Sequence, residues 1–291
     1  MNILDDIKQQ YRYGGMVQKL IFWNIGCFLV SLVFYQFSTG RFNFPNWLAL
    51  SSDLVVSVTF PWTYITYAFL HGGLLHLIFN LIVLNFAGRL FQTFFSEKQL
   101  LGVYLLGAFF SGLMYVFIYW FAFQSNNAIL VGASASIMAI LFATVTYAPM
   151  MTVRLLLIGY VKLWHIALAI LVIDILQIGL SNTGGHLSHL AGAFFGFLFV
   201  KLLKQGTDLT KTATKTIDFF KELFSKNKAS KKKYTLFKEV HISKKETKTH
   251  RTKVYKDKNQ QQIDEILDKI SHSGYDSLSK EEKEFLFQQK E

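Results

Sequence analysis

The sequence predicts an all-α membrane protein: six transmembrane helices with both ends in the cytoplasm, then a cytoplasmic C-terminal tail that ends in a small helical hairpin. Three observations favour this fold class: long apolar blocks, basic residues between alternate blocks, and a concentration of charge after residue 204. Hydrophobic residues make up 52% of the 291-residue chain, a fraction too high for a disordered protein. The single cysteine, Cys27, excludes an internal disulfide framework and any site built from several cysteines.

Six apolar segments are candidates for spanning helices. A helix that crosses a bilayer needs about 20 mainly apolar residues. The stretch that contains the second candidate is too long for one span, so we expect its outer part to be a loop or an interfacial segment. The six segments are Leu20–Phe37, part of Tyr64–Phe95, Leu100–Phe121, Gly132–Ala148, Leu157–Ile178 and Gly184–Leu203.

The positions of Lys and Arg predict the orientation, because cytoplasmic loops carry the positive excess. With the N-terminus inside, the outer segments are Ser38–Thr63, Ala122–Val131 and Gly179–Thr183. These segments contain one basic residue, Arg41, whereas the other nine Lys and Arg of residues 1–204 are then cytoplasmic. We therefore expect the N-terminus and the C-terminus to lie inside.

The tail differs in composition from the rest of the chain. It contains 20 of the 30 Lys and Arg, but it is rich in Lys and has no pattern of interleaved aromatic residues, so we expect no nucleic-acid partner. Near its end, Ile263, Ile266 and Ile270 lie on one helix face, and Ser279 with Glu282 has the spacing of a capping box. This hairpin is either a docking module for a cytoplasmic partner or a solvated helix pair. The predicted organisation is a cytoplasmic segment (1–19), a membrane domain (20–204), a basic flexible linker (205–259) and the hairpin (260–291).

Polar residues inside the apolar segments point to chemistry, because each costs about 2.5–3.5 kcal/mol at mid-depth in a bilayer. Ser134 opens the fourth segment, His186 and His189 open the sixth, and His76 and Asn80 lie on the second. In the predicted orientation all of them belong to the outer leaflet.

A serine and a histidine from separate helices are the minimum for nucleophilic catalysis, since the imidazole can take the hydroxyl proton and later protonate a leaving amine. His189 is preferred to His186 because it shares a face with Gly192 and Gly196, and small residues let membrane helices approach closely. Spans two, four and six contain no outer-leaflet Asp or Glu, so we expect a Ser–His dyad and not a triad.

An oxyanion that forms during the reaction needs hydrogen-bond donors. His76 and Asn80 are four residues apart and therefore share a helix face. The backbone N–H of Ser134 lies in the first turn of its helix, where amides lack intrahelical partners. These three groups are the predicted oxyanion hole.

The chain resembles the rhomboid intramembrane serine proteases. The matching pieces are His71-x4-His76-x3-Asn80, Gly132-x-Ser134 and His189-x2-Gly192-x3-Gly196, in this order on spans two, four and six. The resemblance implies a six-helix rhomboid-like bundle with a water-filled cavity open to the outer side. It implies that Ser134 is the nucleophile, His189 the base, and His76, Asn80 and the Ser134 amide the oxyanion hole. His71, Gly132, Gly192 and Gly196 would support this site.

The same resemblance implies the substrates: transmembrane proteins cut near the outer face of the membrane. We expect no cofactor and no metal ion, and a multi-pass protein of a bacterial cytoplasmic membrane. Three positions depart from the family's usual pattern. Ala135 follows the serine in place of Gly, Met138 stands where an aromatic residue often supports the catalytic histidine, and the Trp-Arg pair of the first loop is Trp62-Thr63.

Other hypotheses remain open. A catalytically inactive, rhomboid-like protein would bind membrane clients without cutting them. A zinc site would use His71, His76, His186 and His189, although no His-Glu-x-x-His sequence is present. Asp174 is either a proton-relay carboxylate of a transporter or a neutral, hydrogen-bonded group within the bundle. We favour the second reading because no intramembrane Lys or Arg is placed to pair with it.

Overall fold

The computed structural model divides into two compact units, Met1–Ala229 and Ser230–Glu291. The described residues of the first unit are 2–36, 43–124, 128–155, 158–180 and 182–211. Those of the second unit are 258–274 and 277–288. Most of the predicted basic linker therefore lies outside the described residues.

Two helices open the first unit. Helix α1 (Ile3–Tyr13) is capped by the side chain of Asn2, which accepts a hydrogen bond from the backbone of Leu4. Helix α2 (Gly15–Ser31) follows after a single residue and continues into a π-helical turn at Leu32–Gln36.

The segment between α2 and the next long helix is folded. It contains strand β1 (Leu50–Ser51), helix α3 (Leu54–Thr59), helix α4 (Thr63–Thr66) and a 3₁₀ turn at Tyr67–Phe69. Asp53 caps α3 by accepting hydrogen bonds from two backbone N–H groups. The indole N–H of Trp62, directly before α4, donates to the carbonyl of Trp47, before β1, over 2.6 Å and so links these two parts of the segment.

The long helices follow. These are α5 (Leu74–Gln92), α6 (Glu97–Ile118, continued by a π-helical turn at Tyr119–Phe123), α7 (Ser134–Tyr147), α8 (Leu163–Gln177) and α9 (Thr183–Lys204). Helix α6 begins with a capping box, in which Ser96 and Gln99 bond reciprocally to each other's backbone N–H. Strand β2 (Ile129–Leu130) precedes α7, and strands β3 (Thr152–Leu155) and β4 (Gly159–Lys162) separate α7 from α8.

The sheets are small, and the prediction of a purely helical chain missed them. Strand β1 pairs antiparallel with β2, so that Leu50 faces Leu130. Strands β3 and β4 form a hairpin. This hairpin occupies the beginning of the predicted fifth span, so α8 starts at Leu163 and not near Leu157.

Four helices of the described residues are long and apolar enough to cross a membrane: Gly15–Tyr35, Leu74–Gln92, Glu97–Phe123 and Thr183–Lys204. Helices α7 and α8 are apolar but shorter. The 14 residues of α7 extend over about 21 Å, less than the hydrocarbon core of about 30 Å. Of the six predicted spans, four therefore have the full length, and the crossing by α7 and α8 stays a prediction.

Helix α7 is the centre of the first unit. Its residues from Ala135 to Thr144 are all buried. It packs against α5, α6 and, most extensively, α9. A Cβ atom on Gly192 of α9 would collide with the carbonyl oxygen of Ala135, and one on Gly196 with that of Ala139. The two helices therefore approach as closely as backbone atoms allow.

The surface of the first unit is strongly apolar. Helix α5 exposes Leu75 and Phe79, and α8 exposes Ile173, Ile175 and Leu176. Exposed apolar side chains on several neighbouring helices are typical of a surface that faces lipid.

The second unit contains helices α10 (Lys258–Ser273) and α11 (Lys280–Gln288). Ser279 and Glu282 form the predicted capping interaction, since the Ser279 N–H donates to the Glu282 carboxylate and the Glu282 N–H to the Ser279 hydroxyl. Lys269 of α10 also donates to Glu282, and these contacts lower the pKa of that carboxyl. Both predicted helices are present, while a docking role for them stays a prediction.

We predict that Gly196→Ala weakens the first unit. Alanine favours a helix over glycine by about 1 kcal/mol, but the added methyl would meet a backbone carbonyl that cannot rotate away. Overpacking of this kind costs about 1–3 kcal/mol, so the free energy of unfolding should fall. Thermal unfolding in detergent micelles measures the effect.

The matched control is Gly26→Ala on α2, where an added Cβ would meet nothing within 4 Å. This variant should unfold at or above the temperature of the unmodified protein. Equal unfolding temperatures for the two variants would contradict the close packing of α7 on α9.

Candidate active site

The hydroxyl of Ser134 and the imidazole of His189 are in hydrogen-bond contact. Ser134 is the first residue of α7, and His189 lies in the second turn of α9. The distance from Ser134 Oγ to His189 Nε2 is 2.7 Å. The close packing of α7 on α9 brings these two residues together from positions 55 apart in the sequence.

The backbone before Ser134 is specific to glycine. Gly132 has a φ of +129°, a conformation that L-residues with a side chain rarely adopt. An added Cβ there would lie 2.9 Å from His76 Nε2 and 3.6 Å from Ser134 Oγ. The bare backbone of Gly132 therefore allows the imidazole and the hydroxyl to converge on one point.

Behind His189 lies a carboxylate, so the prediction of a dyad without a carboxylate partner was wrong. Asp174, in the last turn of α8, has its Oδ1 atom 2.9 Å from His189 Nδ1. The same oxygen lies 2.8 Å from His186 Nδ1. Asp174 is thus hydrogen-bonded within the bundle, and its partners are two histidines; that the group is neutral, as the sequence interpretation also had it, stays a prediction.

The two predicted oxyanion residues on α5 face the same space. His76 and Asn80 both line the cavity that contains Ser134 and His189. The Asn80 side-chain N–H donates to the carbonyl of His76 over 2.8 Å, which fixes the amide and leaves its second N–H for another acceptor. The first amides of α7 are intrinsically unpaired donors at the same place.

The cavity has a volume of about 410 Å³. Its polar side chains are those of His76, Asn80, Ser134, Asp174 and His189 together with Asn182, the residue before α9, and its remaining wall is mostly apolar. Apolar residues from α5, α7 and α8 line this wall: Phe79, Val83, Ile137, Met138, Ile170 and Ile173. Such a cavity fits an apolar side chain close to a small set of polar groups.

His71 does not line the cavity. It is fully buried, and its ring packs edge-on against that of His76 with the centroids 5.2 Å apart. Gly192 and Gly196 also act at a distance, through the packing of α9 on α7. Of the predicted supporting residues, His71, Gly192 and Gly196 therefore lie around the site, and Gly132 lies directly beside it.

The four-histidine zinc hypothesis does not match the geometry. Among the described residues, the potential metal ligands that converge are Asp174, His186 and His189, whose donor atoms lie within 4.8 Å of one another. His71 and His76 are not part of this group. The two convergent histidines already share Oδ1 of Asp174, and His189 also contacts Ser134.

Sequence reasoning missed the contact between Asp174 and the two histidines, although a signal was present. Leu163, Ala167 and Asp174 are the buried residues of α8 and follow helical spacing on one face. An aspartate on the inward face of an otherwise apolar helix needs donors, and His186 and His189 follow just beyond the short connection to α9. The carboxylate lies on the fifth predicted span, outside the three spans expected to carry the site, and its partners are histidines in place of Lys or Arg.

Comparison with known protein families agrees with the resemblance noted in the sequence. A rhomboid domain model matches residues 59–206, about half of the chain, which contain every residue of the candidate site. Residues 246–288 match a second family, DUF6576, whose function is unknown. No curated protein matches the chain. Together with the four long apolar helices, the first match identifies an integral membrane protein built as a helical bundle.

We predict that Gly132→Ala destabilises the protein. The new methyl group would press on His76, and the residue would be held at a φ that costs alanine about 1–3 kcal/mol. The free energy of unfolding, measured by thermal or denaturant unfolding in micelles, should fall by that amount.

Gly72→Ala is the control for this change, because an added Cβ at Gly72 has nothing within 4 Å. A Gly132→Ala protein as stable as the Gly72→Ala protein would show that the backbone before Ser134 tolerates a side chain.

Proposed function

Because the chain belongs to the rhomboid family, we propose that it is an intramembrane serine endopeptidase that cleaves transmembrane proteins near the outer face of the membrane. The observation that carries the proposal is the 2.7 Å contact between Ser134 Oγ and His189 Nε2 in a cavity that also contains His76 and Asn80. A serine hydroxyl is a weak nucleophile until a base at this distance takes its proton.

In the first step, Ser134 Oγ attacks the carbonyl carbon of the scissile peptide bond while His189 Nε2 accepts the hydroxyl proton. The resulting tetrahedral intermediate carries negative charge on the former carbonyl oxygen. His76, the free N–H of Asn80 and the Ser134 amide are the donors that stabilise this charge, and they are fixed before the reaction begins.

In the second step, the intermediate collapses and the C–N bond breaks. His189 gives its proton to the leaving amine, and the acyl group stays on Ser134 as an ester. A water molecule then attacks the ester with His189 again as the base. Release of the acid product restores the free hydroxyl and the neutral imidazole.

The position of α7 supports a reaction below the membrane surface. This helix is buried on all sides and, at about 21 Å, is too short to extend through the whole hydrocarbon core. A polar group at its first residue therefore lies inside the bundle, where the cavity has to supply water. Apolar residues of α5 and α8 form the cavity wall, and they suit a substrate segment that is itself apolar.

We further propose that α7 and α8 also cross the membrane, which gives six spans with both ends of the membrane domain inside. The distribution of Lys and Arg supports this orientation and places the first residues of α7 and α9 toward the outer side. The predicted location is a bacterial cytoplasmic membrane, with lipid around the exposed faces of α5 and α8.

We predict that Ser134→Ala abolishes cleavage. Without the hydroxyl no acyl-enzyme forms, so turnover of a reconstituted transmembrane substrate should fall below detection, and a fluorophosphonate probe should no longer label the protein. Gel-based cleavage in proteoliposomes and probe labelling measure the two effects.

Ser136→Ala is the matched control, because Ser136 is two residues further along the same helix, buried, and outside the residues that line the cavity. It should keep both activities. Wild-type protein that binds substrate yet neither cleaves nor reacts with the probe would instead support the inactive, client-binding alternative.

We predict that His76→Ala and Asn80→Ala each lower kcat by about 10²–10³-fold, the usual effect of removing one oxyanion donor. KM should change little, since these donors act mainly on charge that develops in the transition state. Steady-state kinetics on a transmembrane substrate in proteoliposomes distinguishes the two parameters. An increase in KM with unchanged kcat would assign both residues to substrate binding.

A further inference from the structure

We infer that Asp174 is a positioning residue for His189 and that His186 in turn holds the Asp174 carboxylate, so that the site works as a serine–histidine–aspartate chain with a second histidine behind it. This inference rests on the proposed function. The juxtaposition that carries it is the double approach to Asp174 Oδ1, from His189 Nδ1 at 2.9 Å and from His186 Nδ1 at 2.8 Å.

The protonation of His189 follows from its two contacts. To act as the base toward Ser134, its Nε2 atom must be unprotonated, and a neutral imidazole then carries its proton on Nδ1. The Nδ1–H needs an acceptor, and Asp174 Oδ1 is at donor–acceptor distance from it. The carboxylate therefore selects the tautomer that the reaction needs.

The same contact helps after proton transfer. When His189 has taken the Ser134 proton it is an imidazolium, and a carboxylate 2.9 Å away stabilises this charge more than water can in a desolvated site. Asp174 does not need to accept the proton itself. Its oxygen holds the ring in place and provides the opposite charge.

A hydrogen bond from His186 would offset part of the cost of burying Asp174. Asp174 is 4% exposed, and a buried carboxylate is costly unless N–H groups donate to it. His186, 8% exposed, supplies one such group from the same face of α9 that presents His189. Both imidazoles contact Oδ1 of Asp174, whereas Oδ2 has no hydrogen-bond partner in the described part of the chain.

An alternative protonation has a different consequence. If Asp174 were a neutral acid that donates to His189 Nδ1, the imidazole proton would be on Nε2. That nitrogen would then have no lone pair with which to accept the Ser134 proton. A purely structural link between α8 and α9 would tolerate this arrangement, but a catalytic one would not. The tautomer of His189 therefore separates the two roles.

The first experiment measures that tautomer in the full-length wild-type protein by ¹⁵N NMR of labelled histidine, with the His189 signals assigned by difference from His189→Gln. We expect the Nδ1–H form, and a smaller population of it in Asp174→Asn. An Nε2–H form in the wild type, or no change in Asp174→Asn, would overturn the inference. The wild-type measurement stands even where the variant fails to fold.

The second experiment measures kinetics in proteoliposomes. Asp174→Asn should lower kcat by about 10³–10⁴-fold with little change in KM, as expected for loss of the orienting carboxylate of a serine-protease triad. His186→Phe, which removes the donor behind the carboxylate, should lower kcat by less than Asp174→Asn does, because the carboxylate would still accept from His189. Equal kcat for Asp174→Asn and wild type would overturn the inference.

Ser188→Ala is the matched control, since Ser188 is buried on α9 and its side chain donates to the Gly184 carbonyl of the same helix, with no hydrogen bond to Asp174, His186 or His189. It should leave kcat within about threefold of wild type, because a single hydrogen bond contributes only about 0.5–1.5 kcal/mol and this one does not touch the reacting groups. An equal loss of kcat in Ser188→Ala and Asp174→Asn would assign Asp174 to general stability and reject the positioning role.

The outcomes also separate this inference from the proposed function. Wild-type protein that neither cleaves substrate nor reacts with a fluorophosphonate would refute the proposed function, while the tautomer result would stand by itself. Wild-type protein that cleaves, with Asp174→Asn equally active, would refute the inference alone. Stoichiometric zinc in the active wild type, lost in Asp174→Asn, would also refute it, because the imidazole nitrogens would then be metal ligands.

Discussion

The close approach of α9 to α7 is the constraint on which the site depends. Gly192 and Gly196 leave no room for a side chain against the carbonyls of α7, so the backbones meet directly. This contact fixes the rotation of α9 and thereby the direction of His189. A larger residue at either glycine would separate the helices, and a hydrogen bond of 2.7 Å between Ser134 and His189 has little tolerance for such a shift.

Most of the other residues of the site lie near the ends of helices. Ser134 begins α7, Asp174 lies in the last turn of α8, and His186 and His189 lie in the first turns of α9. Helix ends leave backbone groups unpaired, and in a bilayer these groups need water or polar side chains. Three such ends and two residues of α5 surround one cavity, which satisfies that need and brings the candidate catalytic groups together.

Much of this arrangement could be predicted from the sequence, because the relevant signals are local. Small residues at helical spacing identified the α7–α9 contact, and the i, i+4 pair of His76 and Asn80 identified a shared face on α5. The features that could not be predicted depend on contacts between distant segments, such as the pairing of β1 with β2. The late start of α8 was missed because the pairing of Gly159–Lys162 with Thr152–Leu155 is a contact that the apolar pattern of the segment does not display. Asp174 was misjudged because Lys and Arg are the expected partners of a carboxylate in a membrane, whereas two histidines contact it.

Helix α8 has one further consequence, for the lipid around it. About half of its 15 side chains are exposed and apolar, and the helix extends over about 22 Å, roughly 8 Å short of a typical hydrocarbon core. The proposed membrane crossing by this helix would therefore require the acyl chains beside it to adjust, at a cost of fractions of a kcal/mol per ångström. Asp174 lies in the last turn of the same helix. In the proposed orientation, a locally thin bilayer would lie beside the cavity, and a thicker bilayer would press its acyl chains against it.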